Sequence, residues 1–202
     1  MKLCCAAYVL SAALCSLLLT PIAPAQTPRL KIKAKHHDPQ EEAKKQQIER
    51  LAQQYDLKKY TLTRDILIER GVISHSHPTL TLNLRFLDND DLALSAYLHE
   101  QGHWVLTDRG PRRNGPLFDD LTRAFRIADY SVPNGDGEMK GSYLHIAVCM
   151  LEWQATEALI GADRARKAIE WKQRDHYKAI YAIVLNQRPE VETVLRRNGV
   201  SW

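Results

Sequence analysis

The chain has 202 residues, of which 45% are hydrophobic and 26% are charged, and its formal net charge is +4. These proportions are typical of one globular domain and exclude collagen-like and strongly biased sequences. The charge is too small to predict a protein that binds nucleic acid.

Residues 1–25 have the pattern of a secretory signal peptide. Lys2 provides a positive start, Ala6 to Leu19 form an apolar run, and Ala23-Pro24-Ala25 matches a small-residue cleavage site. We therefore predict an exported protein, periplasmic or secreted, with an uncleaved membrane anchor as the alternative. No later segment is apolar and long enough to span a bilayer. Cleavage would leave Cys149 as the only cysteine, so we expect no intramolecular disulfide.

The segment after the signal is basic and leads into the main domain. Residues 26–38 are rich in lysine and histidine, and we expect a solvated, disordered leader before a domain that covers residues 39–202. Pro39 to Tyr55 has the pattern of a charged amphipathic helix. Thr63 is a candidate N-cap for a short helix over residues 64–70.

One strand and several helices are predicted in the rest of the chain. Residues 79–86 alternate polar and apolar side chains, which predicts a half-buried β-strand, although no clear partner strand is visible. Asp88 or Asn89 can cap a buried helix that runs to about Leu106. Further along we predict loops at 107–115 and 131–141 and helices at 117–127, 142–160, 163–186 and 190–197. The expected fold class is α+β and mostly α, with a small β element before the buried helix.

The buried helix carries the sequence His99-Glu100-Gln101-Gly102-His103. Residues four apart lie on one face of a helix, so the imidazoles of His99 and His103 can reach a single ion. Glu100 lies beside them, where its carboxylate can reach a water bound to that ion. This is the H-E-x-x-H pattern, with two zinc ligands and a general base. Burying two histidines and a glutamate without a partner is costly, and a metal ion supplies that partner.

A zinc site needs a third protein ligand, and the helix at 142–160 offers two candidates. We favour Glu152, because a carboxylate in an apolar run needs a cation and none is near in sequence. His145, two turns earlier on the same face, is the alternative ligand. If Glu152 binds the metal, His145 can instead act as a catalytic donor to the oxyanion of the transition state. Cys149 lies between them and is expected to be a buried small hydrophobe.

Three other histidine positions have less specific interpretations. His176 and Tyr177 either line the cleft or pack in the core with a satisfied polar tip. Residues 74–78, with His75 and His77, are expected to form a turn into the strand rather than a second metal site.

The motif and the later glutamate resemble the gluzincin metallopeptidases in a small, single-domain form. The segment also resembles exported bacterial proteins with an HEQxHW sequence. In gluzincins a short sheet precedes the motif helix, and the predicted strand at 79–86 is similarly placed. The resemblance implies a zincin-like fold, His99, His103 and Glu152 as zinc ligands and Glu100 as general base. Leu151 stands where these enzymes usually have asparagine, and Thr156 stands where an acidic residue is common.

The sequence therefore predicts a zinc-dependent hydrolase, most consistent with a metallopeptidase that acts on a peptide or protein substrate. Zn²⁺ is the expected cofactor. The alternative is an exported binding protein that zinc stabilises and that has no turnover. A third interpretation has no metal, with the two motif histidines only packing in the core.

Overall fold

The computed structural model describes residues 29–202, which form a small sheet, six α-helices and a short 3-10 helix at Lys58–Tyr60. The predicted signal peptide lies outside these residues. The strands are β1 (Lys31–Ala34), β2 (Asp65–Ile68) and β3 (Leu80–Leu82). The helices are α1 (Pro39–Gln54), α2 (Asp90–Ala124), α3 (Met139–Ile160), α4 (Ala162–Asp175), α5 (Lys178–Asn186) and α6 (Arg188–Arg197). The prediction of an α+β fold that is mostly helical is confirmed.

The sheet is parallel throughout and has the order β1-β2-β3. Ile32 pairs with Ile66, and Ile66 pairs with Leu80 on the other side. These residues are buried, because α1 and α2 pack against the sheet. The predicted strand is shorter than expected and all three of its residues are buried, which is typical of strands in parallel sheets.

Helices α2 and α3 form the centre of the helical layer. The two helices approach closely at Gly102, where an added Cβ would lie 3.4 Å from the Val148 side chain. A Cβ at this distance makes an ordinary van der Waals contact, so α3 packs directly against the helix that carries His99 and His103 without requiring the glycine. Among the residues described, no helix combines the length and apolarity that a membrane span requires.

Several of the predicted helices and loops differ from those in the structure. Residues 64–70 hold strand β2 instead of a short helix, and residues 31–34 are ordered as β1, where we expected a disordered leader. Helix α2 continues through the predicted loop at 107–115, with a break at Gly110, where φ is +73°. The predicted helix at 163–186 divides into α4 and α5. By contrast, the Asn89 cap is confirmed, since its side chain accepts a hydrogen bond from the Leu92 amide.

Candidate metal centre

Helix α2 presents His99 and His103 on one face, as their spacing predicts. Their ring centroids are 5.1 Å apart. His145 approaches from α3, with its ring 5.7 Å from that of His99 and 4.8 Å from that of His103. One ring nitrogen from each of the three lies within 4.8 Å of the others. The structure thus brings together two candidate ligands on one helix and a third on its packed neighbour.

Hydrogen bonds fix the orientation of two of these rings. His99 Nδ1 lies 2.8 Å from Glu152 Oε2, and His145 Nδ1 lies 2.9 Å from the carbonyl oxygen of Gly141. A carboxylate or carbonyl oxygen only accepts, so both Nδ1 atoms donate. The Nε2 atoms are then unprotonated in the neutral rings and can bind a metal ion, an arrangement common among metal-ligating histidines.

Glu152 lies beneath this cluster and is fully buried. Its Oε1 accepts from the Ser95 hydroxyl and from Lys172 Nζ at 2.5 Å. Its Oε2 accepts from His99 Nδ1 and from the Tyr181 hydroxyl at 2.7 Å. Each oxygen therefore already accepts two hydrogen bonds. This geometry favours a role for Glu152 in orienting His99, and not the direct ligand role that we predicted.

Two overlapping groups of buried side chains can hold a metal ion. One is His99, His103 and His145; the other is His99, Cys149 and Glu152. The second group includes the carboxylate with four donors and a thiol whose pKa burial raises well above its usual value. Binding there would require the loss of hydrogen bonds around Glu152, so the three-histidine group is the better metal site.

Burial controls protonation throughout the cluster. It lowers the pKa of His99 to about 4, even though Glu152 opposes the shift. It also lowers the pKa of His103 and of His145. All three rings are therefore neutral at pH 7, as metal ligation requires. Burial acts to raise the pKa of Glu152, but Lys172 and His99 outweigh it and hold that pKa well below its usual range.

Glu100 faces a cavity of about 840 Å³ whose wall also includes His99 and Tyr177. The residue is 6% exposed, and none of the side-chain hydrogen bonds found within residues 29–202 involves its carboxylate. Burial raises its pKa to about 8, because no nearby cation compensates its charge fully. A buried carboxylate that faces a cavity without a protein partner is suited to exchange a proton with a bound molecule.

Tyr177 lies where α4 gives way to α5, with a left-handed φ of +50°. Its ring centroid is 4.6 Å from that of His145, and it lines the same cavity as Glu100. Of the two interpretations given for His176 and Tyr177, lining the cleft or packing in the core, the first agrees with the structure, since both residues line this cavity. His77 stacks on Trp104 at 4.2 Å in the turn before β3, and His75 pairs with Thr81 there.

Three residues of the site were not identified from the sequence: Ser95, Lys172 and Tyr181. Each contacts Glu152 from a different helix. The apolar surroundings of Glu152 did indicate a missing cation, and Lys172 provides it at a separation of 20 residues.

Comparisons with protein-family models, curated proteins and solved structures found no match.

Proposed function

We propose that this protein is a zinc-dependent hydrolase, a small zincin-like metallopeptidase, in which His99, His103 and His145 hold the metal. The proposal is supported chiefly by the convergence of three neutral imidazoles beside an unpartnered carboxylate. Three imidazole ligands with an open position suit Zn²⁺. Zn²⁺ held there would lower the pKa of a bound water to about 7 and polarise a carbonyl oxygen.

Glu100 is the proposed general base. The positive charge of Zn²⁺ at the three histidines would oppose the burial that raises the pKa of Glu100, so the carboxylate would be ionised there. Its position in the cavity wall would then let it accept a proton from the attacking water and return it to the leaving amine. Glu152 holds His99 through Nδ1, and Lys172 balances the charge of Glu152. Tyr177 is the proposed donor to the oxyanion, because its ring lies against His145 and faces the same cavity.

We propose a peptide or protein substrate from the resemblance to metallopeptidases. The cavity of about 840 Å³ has the size of a site for one small ligand, so it would hold only the residues next to the cleaved bond. We propose export as the setting, on the basis of residues 1–25, and no role for nucleic acid. The resemblance to gluzincins supports the motif and the general base. The third ligand in our proposal differs from the glutamate of that family.

Glu100→Gln provides the direct test of this function. The substitution preserves size and leaves the three histidines intact, so we expect one zinc per chain as in the wild type. Hydrolysis of a quenched-fluorescence peptide library should fall by at least about 100-fold, the usual contribution of a general base. Zinc content by elemental analysis and cleavage rates would be measured on the same preparations.

A wild-type protein that binds zinc but cleaves no peptide would favour the alternative of a zinc-stabilised binding protein. In that case a chelator should lower the melting temperature, and Glu100→Gln should leave it unchanged. A Glu100→Gln variant that cleaves at the wild-type rate would contradict the assigned base. If the wild-type protein binds no zinc after reconstitution with the metal, the proposed function is contradicted as a whole.

A further inference from the structure

The cavity beside Glu100 has a wall that is largely apolar. Five large hydrophobic side chains line it: Val72, Ile73, Leu84, Phe86 and Val132. Ile73 and Val132 are 86% and 73% exposed, and they come from separate loops. Exposed hydrophobic residues that share one cavity form a contiguous surface, which commonly marks a binding site.

The charged side chains of the same wall are already engaged. Apart from Glu100, each has a partner: Arg85 and His176 with Asp175, Lys172 with Glu152, and Asp136 with the neutral ring of His145, whose Nδ1 lies 3.5 Å from it. None of these groups is available to recognise a charged substrate without losing its partner. Burial of apolar surface is therefore the interaction that this wall offers.

Phe86 is held in the wall by an unusual backbone. Its φ is +65°, in the left-handed region that bulky residues seldom adopt. Two buried side chains of α1 secure this conformation. Gln47 donates to the carbonyl oxygen of Phe86 at 2.9 Å, and Lys44 donates to that of Arg85 at 2.9 Å. The ring packs edge-on against Trp171, with centroids 5.1 Å apart. A strained residue held by its surroundings often serves a site.

We infer that this wall is a specificity subsite for one large apolar side chain of the substrate, similar in size to leucine or phenylalanine. Phe86, Ile73 and Val132 are its specificity-determining residues. The inference rests on the proposed function, because the subsite is continuous with His99 and Glu100 in a single cavity. The occupant is part of the substrate, since the reacting bond must lie beside the same carboxylate.

Two hydroxamates with the same metal-binding group distinguish binding at the subsite from binding at the metal centre. Acetohydroxamic acid carries only a methyl group, whereas 3-phenylpropanehydroxamic acid carries a phenyl group. Binding of each to the zinc-loaded protein would be measured by isothermal titration calorimetry. Burial of the phenyl group predicts that the larger probe binds about 10- to 100-fold more tightly.

Variants test whether the apolar wall of the cavity causes this difference in affinity between the two probes. Ile73→Ser/Val132→Ser removes two exposed side chains with little risk to folding, and Phe86→Asn removes the ring with a residue that tolerates a left-handed backbone. Both should reduce the preference for the phenyl probe to less than about threefold, since most of the buried apolar area is lost. Leu62→Ser changes an exposed hydrophobic residue outside the cavity and should retain the full preference.

The outcomes are distinguishable. Equal affinities for the two probes in the wild type would overturn the subsite and leave the metal centre standing. A preference that persists in both wall variants would also overturn it. Failure of both probes to bind the zinc-loaded protein would overturn the proposed function and this inference together.

Discussion

Lys172→Met tests whether the carboxylate beneath the metal centre depends on its buried cation. Lys172 Nζ lies 2.5 Å from Glu152 Oε1, and the two side chains are 3% and 0% exposed. Methionine keeps most of the volume but removes the charge. The remaining donors to Glu152 are Ser95, Tyr181 and His99, all of them neutral, so the variant buries an uncompensated carboxylate.

The magnitude follows from this burial. Removing one partner of a buried ion pair typically costs about 3–5 kcal/mol. For a domain of this size each kcal/mol lowers the melting temperature by about 2–4 °C, so we expect a decrease of about 6–20 °C. Lys31→Met is the matched control, since Lys31 pairs with Asp65 at 3.6 Å with both side chains about 70% exposed. Its cost should stay below about 1 kcal/mol.

The pH dependence gives a second readout. Lys172 and His99 hold the pKa of Glu152 below its unfolded value of 4.5. The wild type therefore gains stability from Glu152 above that pH and loses it as the pH falls through the folded pKa. In Lys172→Met this pKa rises, because burial is less opposed. The stability deficit of the variant should then become smaller as the pH is lowered from 7 towards 5.

Urea denaturation of the single variants and of Glu152→Gln/Lys172→Met measures the coupling. The double variant removes both charges and should be more stable than Lys172→Met alone. A Lys172→Met cost below about 1 kcal/mol, equal to that of the Lys31→Met control, would refute the idea that the pair is charged and buried.

Two further predictions concern stability away from the metal centre. Burial lowers the pKa of Lys44 from 10.5 to about 8, so the folded protein binds fewer protons than the unfolded chain between these values. The free energy of unfolding should therefore rise from pH 8 to pH 10.5 by up to about 3 kcal/mol more in the wild type than in Lys44→Met. Urea titrations at the two pH values would show this, and equal slopes would contradict the shifted pKa. Gly161→Ala and Gly115→Ala should act in opposite directions. Gly161 has a φ of +84°, where alanine should cost about 1–3 kcal/mol, whereas Gly115 lies within α2 in open space, where alanine should stabilise by up to about 1 kcal/mol. Thermal melts would separate them, and a shared sign would contradict the backbone argument.

The parts of the fold that local chemistry determines were predictable from the sequence. The Asn89 cap, the apolar face of α1 and the 99/103 spacing each depend on neighbours within a few residues. Strand β2 was missed because Asp65–Ile68 is too short for its period to distinguish a strand from a helix. Its place is decided by pairing with β1 and β3, which are distant in sequence.

The same difference between local and long-range interactions explains which residues of the candidate site could be predicted from the sequence. His99, Glu100 and His103 share one helix, so their relation follows from its period. The apolar surroundings of Glu152 indicated that a cation must compensate its charge, but they do not distinguish a metal ion from an ammonium group. The packing of α4 against α3 resolves this, since it places Lys172 against Glu152. His145 likewise becomes a candidate third ligand only once α3 packs against α2 at Gly102.

The central claim is that His145 binds the metal while Glu152 orients His99. It is tested most directly by the zinc dissociation constant of the wild type, His145→Ala and Glu152→Gln/Lys172→Met, measured by competition with a chromophoric chelator. We predict that Glu152→Gln/Lys172→Met still binds one zinc, with affinity lower by about 10- to 100-fold, as for the loss of a group that orients a ligand. His145→Ala should lose far more. Stoichiometric zinc in His145→Ala, with none in Glu152→Gln/Lys172→Met, would contradict the account and restore Glu152 as the ligand.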